Sequence, residues 1–445
     1  MSHPFDLCAE AQAPLGSDLE RLAFVHDAVV HSRHGLITSL IEQPELPAAP
    51  SLFVYTGIAA EAAYFRENER TQPQDARSGS GASFDRAAAI WAAIGECLER
   101  YCAFIHLPDQ VQWASELELG QRAVGLDRYI LFGTEQYLQP SFPFAPPDRS
   151  LPRAWVQARV LGTAGESRFV PASLVFLGMA LRSQSENIAQ NTSSGLSCAS
   201  TFLTATETGL YELIEREAFA ATWQLRRTPT RLLLSDELAS RLNRGVSRAL
   251  SSRTTEITMW DITSDLGVPV VLAMARGHNG ELIAFGASAH VRVEQAIEKA
   301  VVEALHALVW GAQLSAFGKR TPAAQDVRAP ADHFMYHFAG EHLDELRFLL
   351  ESPESTALPR ETRDSFVDVV QRLRSKGYEP VAVDLTTADV ASLGLSVVRV
   401  LVPGLHPLLF GYGVSTTDTR RLREIAAFWG VTDIGAPNPS PHPFP

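Results

Sequence analysis

Cysteine is scarce in this 445-residue chain: Cys8, Cys97, Cys102 and Cys198, with no Cys-x-x-Cys pair and no zinc-ligand spacing. That pattern excludes a disulfide framework or a structural zinc site and fits a reduced, cytoplasmic setting. The thirteen histidines contain no His-Glu-x-x-His, and His333 with His337 reads as a surface pair on a helix rather than a metal site. Excess positive charge is also missing, since 38 Lys and Arg face 51 Asp and Glu for a net charge of −13. Such a balance argues against a general binder of nucleic acid or anionic membrane. No run approaches the ~18 apolar residues of a membrane-spanning helix. The stretch Met1 to Pro14 lacks the basic and apolar regions of a signal peptide.

What is present is a globular composition, 46% hydrophobic and 20% charged, long enough for one large domain or two to three ordinary ones. The chain is organised around Ala88 to His106 and its echo at Thr206 to Trp223, offset by 116 residues. Each copy carries Glu-x-x-Glu-Arg: Glu96, Glu99 and Arg100, then Glu212, Glu215 and Arg216. Positions i, i+3 and i+4 share a helix face, so each copy aims two carboxylates and a guanidinium one way. One copy alone is ordinarily a solvated ion-pair face. Two copies, each in an apolar helix behind a Ser/Gly-rich stretch, point to a site. Paired carboxylates on a buried face repel unless a cation lies between them, and hard oxygen ligands suit magnesium carrying phosphates.

In chain order, Leu19 to Ser32 has helical spacing and Gly35 to Glu42 forms a strand or short helix, before Pro44, Pro47 and Pro50 break the pattern. Ser78 to Ser83, SGSGAS, reads as a Gly/Ser loop entering a helix N-terminus, where backbone N–H groups favour anions, with Ser83 as the N-cap. Ala189 to Ser200 is a second such loop, with Thr201 or Thr204 as the following cap. Strands are expected at Trp155–Val160, Arg168–Leu174, Ile257–Trp260, Val268–Arg276, Leu282–Phe285, Pro380–Leu385 and Ser396–Val402, with a turn at His278-Asn279-Gly280. Val291 to Leu314 is a third long helix, bearing Lys299 and Glu303, and Ser365 to Lys376 another. The fold class is α+β, mixed α/β, with internally duplicated helix and sheet units. The divisions are a segment 1–50, a catalytic domain 51–436 and a tail 437–445 with proline at every second position. That tail is extended and stiff, and its ending on Pro445 suggests a chain end threaded to a defined place where its carboxylate acts.

These pieces resemble the YcaO family, and within it the azoline-forming cyclodehydratases of thiazole/oxazole-modified microcin biosynthesis. The resemblance rests on SGSGAS, AAIGECLERYCAF, NTSSGLSCAS, GLYELIEREAFAATW, FGASAHVRVEQAIEKAVVEAL, VDLTTADV, VVRVLVPGLHPL and the alternating-proline tail, in that order from Leu52 to Pro445. It implies ATP and Mg2+ in a pocket among the repeated helices, with Glu96, Glu99, Glu212 and Glu215 on the metal and Arg100 and Arg216 near the phosphates. It places Ser80, Ser83, Ser193, Ser194, Lys299 and Glu303 toward the nucleotide. The chain departs from the family pattern where Ser80 replaces a lysine, Ser194 an asparagine, Lys299 an arginine and Glu217 an aspartate.

The implied reaction is ATP-dependent cyclodehydration of Cys, Ser or Thr in a ribosomally made precursor peptide. The side chain attacks the preceding carbonyl, phosphorylation makes the amide oxygen a leaving group, and the Pro445 carboxylate is the candidate base. Implied partners are the precursor peptide, a separate leader-peptide-binding protein related to ubiquitin-activating enzymes, and a flavin dehydrogenase, in an oligomer. Competing readings are a thioamide-forming YcaO, a non-catalytic ATP-binding scaffold, and a polyproline ligand on a metabolic enzyme.

Overall fold

The computed structural model describes residues 18–47, 49, 51–61, 75–106, 108–140, 142–277, 280–355, 364–416 and 419–444. The helical spacing near the start forms α1 (Asp18–Val29), whose Leu22, Val25 and Val29 are buried. The ambiguous stretch after it becomes β1 (Ile37–Glu42), which pairs antiparallel with β2 (Phe53–Ala59), and β2 pairs in turn with β3 (Ser78–Ser83). The boundary drawn at residue 50 therefore falls inside one sheet. SGSGAS is a strand and not the loop its composition suggested. Ser83 is not the N-cap of the next helix: its Oγ accepts from Asp85 N at 3.1 Å, and Asp85 caps by accepting from Ala88 N at 2.8 Å.

The second sheet runs β4-β5-β13-β14-β7 and is made of β4 (Val111–Ala114), β5 (Arg153–Val160), β7 (Leu196–Ala199), β13 (Val381–Asp384) and β14 (Ser396–Leu401). Strand β6 (Ser167–Pro171) also pairs with β5. The third runs β11-β10-β9-β8-β12, from β8 (Thr230–Leu232), β9 (Thr255–Asp261), β10 (Val270–Gly277), β11 (Leu282–Ala289) and β12 (Glu354–Ser355). Strands form where alternation predicted them, except that the one expected at Arg168–Leu174 ends at Pro171 and gives way to a 3-10 turn at Ala172–Leu174, while His278 and Asn279 of the expected turn lie outside the described residues.

Three of these strands lead into the three long helices. Strand β3 precedes α2 (Arg86–Ala103), β7 precedes α3 (Phe202–Gln224), and β11 precedes α4 (Val293–Ala316). Thr201 caps α3, accepting from Thr204 N. Helix α2 packs on β2 and β3, α3 on β14, β7 and β11, and α4 on β10 and β11. Glycine makes two of these contacts possible. A Cβ at Gly81 would sit 2.3 Å from the Ala89 carbonyl oxygen, and one at Gly286 would sit 2.4 Å from Ala304 N. The absent side chains let helix backbone lie directly on strand backbone.

One apolar core lies under α3 (Leu210, Phe219, Trp260, Phe285, Val398), a second under α2 (Ile94, Leu98, Val156, Val397), and a third around α4 (Ile297, Val301, Leu308, Phe334). Each fully buried large apolar side chain contributes about 1.5–3 kcal/mol. The third core includes α5 (Pro330–Phe338). His333 and His337 of this helix are both 2% exposed, so they are not a surface pair. Two further helices are α6 (Phe366–Ser375) and α7 (Arg420–Phe428). Among the described residues no helix is long and apolar enough to cross a membrane.

Candidate active site

The three strand–helix units place one carboxylate each at the same register. Glu96 Oε2 accepts from Ser80 N at 2.7 Å, Glu212 Oε2 from Gly195 N at 3.0 Å, and Glu303 Oε2 from Ala287 N at 2.9 Å, across separations of 16, 17 and 16 residues. Glu303 is thus the counterpart of Glu96 and Glu212, an equivalence the isolated Lys299/Glu303 pair did not disclose. A fourth bond joins two units: Glu99 Oε1 on α2 accepts from Cys198 N on β7 at 2.7 Å. Cations alternate with these acids. Arg100 Nη2 lies 3.1 Å from Glu96 Oε1, and Arg216 lies 3.6 Å from Glu212 and 3.5 Å from Glu215.

Burial and crowding set the electrostatics. Burial, with the Glu96 and Glu212 charges beside it, holds Glu99 well above the usual carboxylate range. Burial and the neighbouring Glu303 do the same for Glu215, whose elevation Arg216 and Lys299 oppose. Burial pushes Glu303 up to about 7. Carboxyls in this state gain from any cation that enters among them. Yet among the described residues no three His, Cys, Asp or Glu side chains converge on a point that holds a metal ion. Glu96, Glu99, Glu212 and Glu215 lie within each other's electrostatic reach on two helices but are not preassembled as a three-ligand group. Their oxygens are shared out among backbone N–H groups and guanidinium ions.

Sequence reading missed Arg399, which reads as one more residue of an apolar strand. It sits on β14, is 4% exposed, and has Nε and Nη1 without a hydrogen-bond partner among the described residues. Its Nη2 lies a long 3.5 Å from Asn191 Oδ1. Burial lowers its pKa to about 10, Glu212 acting against the drop and Arg100 with it. A buried guanidinium with open donors is receptive to an anion. His306, on α4 with Glu303, was also missed; burial lowers its pKa, against the nearby Glu96 charge. The site thus sets carboxyls raised by burial beside a buried guanidinium with unused donors. Beside it, a cavity of about 370 Å³ is lined by Arg21, Trp91, Gly95, Cys198, Ser200 and Leu395.

Of the expected nucleotide-side residues, Ser80 meets Glu96 through its backbone, and Ser83 serves Asp85. Ser193 and Ser194 lie in the loop before β7, where Thr192 Oγ1 donates to Ser194 Oγ at 3.2 Å. Pro445 lies outside the described residues. The residues just before it are well placed against α3. Trp223 Nε1 donates to the Ser440 carbonyl at 3.0 Å, the Phe444 ring centre lies 4.6 Å from that of Phe219, and the Arg216 guanidinium sits 4.6 Å over the Phe444 ring. The expected threading holds as far as Phe444, which is fully buried.

Comparison with known proteins identifies the fold and the family. The chain resembles a heterocyclase solved in complex with substrate and cofactor, with a TM-score of 0.76 and 21% identity over 95% of this chain and 57% of that one. It therefore spans little more than half the length of that protein. It also resembles the YcaO protein of Methanopyrus kandleri bound with AMPPCP and Mg2+, with a TM-score of 0.59 and 20% identity over 88% of this chain and 91% of that one. A third likeness is to the E. coli microcin synthetase McbBCD complex, with a TM-score of 0.59 and 16% identity over 91% and 96% of the two chains. At these identities the likeness establishes the fold. The family model for the YcaO cyclodehydratases, described as binding ATP and Mg2+, matches residues 78–406, which contain all three strand–helix units. The chain belongs to the YcaO cyclodehydratases, a family of ATP- and Mg2+-binding enzymes.

Proposed function

We propose that this protein converts Cys, Ser or Thr residues of a ribosomally made peptide into thiazolines or oxazolines at the expense of ATP. The observation that carries this reading is the set Glu96, Glu212 and Glu303 at matching registers, interleaved with Arg100, Arg216 and the open Arg399, with the tail reaching Arg216.

When bound, ATP supplies the phosphoryl group that turns an amide oxygen into a leaving group, and Mg2+ offsets the charge of the triphosphate. Glu96, Glu99, Glu212 and Glu215 would hold the metal. Arg100, Arg216, Lys299 and Arg399 would hold phosphate oxygens, Arg399 with the donors it now leaves unused. Ser193 and Ser194 border this end through the loop that leads to Gly195. The cavity beside Trp91 and Gly95 would receive the nucleoside. The Pro445 carboxylate, one residue past Phe444, takes the proton of the attacking side chain.

A separate leader-binding partner delivers the peptide, and the resemblance to a multi-subunit microcin synthetase supports that assignment. A flavin dehydrogenase acting afterwards on the azolines belongs to the same reading.

The test is the intact mass of a candidate precursor peptide after incubation with this protein, its partner, ATP and Mg2+. We expect loss of one water per ring, abolished by Glu96→Gln, and an ATP KM raised about 10–100-fold by Arg399→Met, from the ~1.5–3 kcal/mol of a charged hydrogen bond. Exchange of oxygen for sulfur would instead assign thioamide formation. An unchanged peptide from a complex that still binds ATP would overturn catalysis in favour of a scaffold.

A further inference from the structure

Helix α5 is anchored on one side and open to the tail on the other. Phe334 and Phe338 enter the third core, Phe334 packing 4.9 Å from Trp310 between ring centres. His333 and His337, four residues apart, meet the C-terminal tail. Gly411 N–H donates to His333 Nε2 at 2.7 Å, so the ring proton sits on Nδ1, which donates to the His442 carbonyl at 3.2 Å. His337 Nε2 donates to the Pro441 carbonyl at 2.7 Å.

The tail completes the arrangement from its own side. His442 Nε2 donates to the Leu409 carbonyl at 2.9 Å, its ring stacks on His333 at 4.1 Å, and its Nδ1 accepts from Phe444 N at 3.3 Å. Alternate prolines remove every second backbone donor, so tail carbonyls are what a neighbouring element can grip. Tail contacts then climb α3 toward the site. Asn438 meets Gln224 and Trp223, Ser440 meets Trp223, His442 packs on Phe219, and Phe444 reaches Phe219 and Arg216. Phe219 and Arg216 lie on successive turns of α3, and Arg216 is the arginine of the second Glu-x-x-Glu-Arg.

We propose that His333 and His337 are positioning residues that clasp the tail against α3 and thereby set how far its end reaches toward Arg216, Glu212 and Glu215. The proposal rests on the cyclodehydratase reading, in which that end contributes the base. Both rings are buried neutral imidazoles, His333 held down to about 4 and His337 to about 3 mainly by desolvation. Among the described residues the charged or titratable neighbours include Asp332, Tyr336, His342 and His442, with Arg216 beyond His442. A neutral His333 keeps one donor and one acceptor, which is what its two bonds require.

The experiment uses the full chain with its partner, peptide, ATP and Mg2+, comparing the parent with His337→Phe and His337→Gln. The phenylalanine keeps the ring volume and removes the donor; the glutamine amide restores a donor near the Nε2 position. We expect His337→Phe to lower kcat for azoline formation about tenfold, because the Pro441 carbonyl is left buried without its donor. The ATP dissociation constant should stay within about twofold, and His337→Gln should recover most of the rate. In a chain lacking 437–445, the same substitution should cost nothing further, because groups acting through one element are not additive. His337→Asn serves the same comparison if the phenylalanine variant does not fold. Full activity in His337→Phe, or an equal loss with and without the tail, overturns the proposal. Hydrogen exchange at Asn438 to Phe444 gives a readout independent of chemistry: protection lost in His337→Phe and kept in His337→Gln supports the clasp even if the parent makes no azoline.

Discussion

Glu303 shows how much of the site's character lies in the surroundings of single residues. Its carboxyl is raised from 4.5 to about 7 by burial, with Glu212 and Glu96 adding to the effect and Arg216 and the Ala287 N–H opposing it. A carboxyl raised in the folded state binds its proton more tightly there than in the unfolded chain. It therefore contributes stability in full below about pH 4.5 and loses it as pH rises through about 7. At ~1.4 kcal/mol per pKa unit, the nucleotide-free protein should be about 1.4 kcal/mol less stable at pH 8 than at pH 6 from Glu303 alone. Glu99 and Glu215, raised for the same cause, add to the slope. Urea midpoints at the two pH values measure this, and Glu303→Gln should flatten the dependence. Equal slopes in the parent and the variant would show that Glu303 is not the group responsible.

At the scale of elements, the three-fold use of a strand and a helix depends on backbone contact that glycine permits. Gly286→Val would drive new carbon atoms into α4 at Ala300 and Ala304 and push Glu303, one residue before Ala304, off the Ala287 N–H. Overpacking of this kind costs about 1–3 kcal/mol. A lowered unfolding midpoint together with weakened ATP binding is expected, and normal ATP affinity in the variant would detach the glycine contact from the site. The same contact explains a misreading. Two glycines and three serines in SGSGAS look like a flexible loop. They form a strand because β2 supplies the paired backbone and α2 needs the empty space above Gly81. The Glu-x-x-Glu-Arg helices were legible because a 3.6-residue period in apolar surroundings is a local signal.

Across the whole molecule, distant segments are tied by buried charge. Glu217 is fully buried and takes Arg421 of α7 in two bonds, Nε at 2.8 Å and Nη2 at 2.7 Å, while Arg421 also reaches Asp265 at 2.8 Å. His406 N adds a third bond to Glu217 at 2.9 Å. A glutamate that reads as a variant position beside Arg216 is therefore what docks α7 to α3. Removing Arg421 leaves Glu217 buried with no cation beside it, at a cost of about 3–5 kcal/mol, whereas Arg421 without Glu217 keeps Asp265. Arg421→Met should show that loss by urea unfolding, Glu217→Ala a smaller one because Asp265 still pairs with Arg421, and the pair together less than the sum. Additive losses would mean the two side chains do not act as a unit.

The sequence by itself determined the helices with their paired acids, most of the strands, the mixed α/β class and a stiff tail, because periodicity, proline and small-residue spacing act over a few residues. Only the tertiary structure decided that Glu303 is the third member of the Glu96 and Glu212 set, since their likeness is a register between helix and strand rather than a motif. It also turned His333 and His337 from a presumed surface pair into a grip on the tail, and Arg399 from a strand residue into an open cation. Those roles come from groups on β14, α5 and the tail that are far apart in sequence, and burial and partner geometry exist only once the chain has folded.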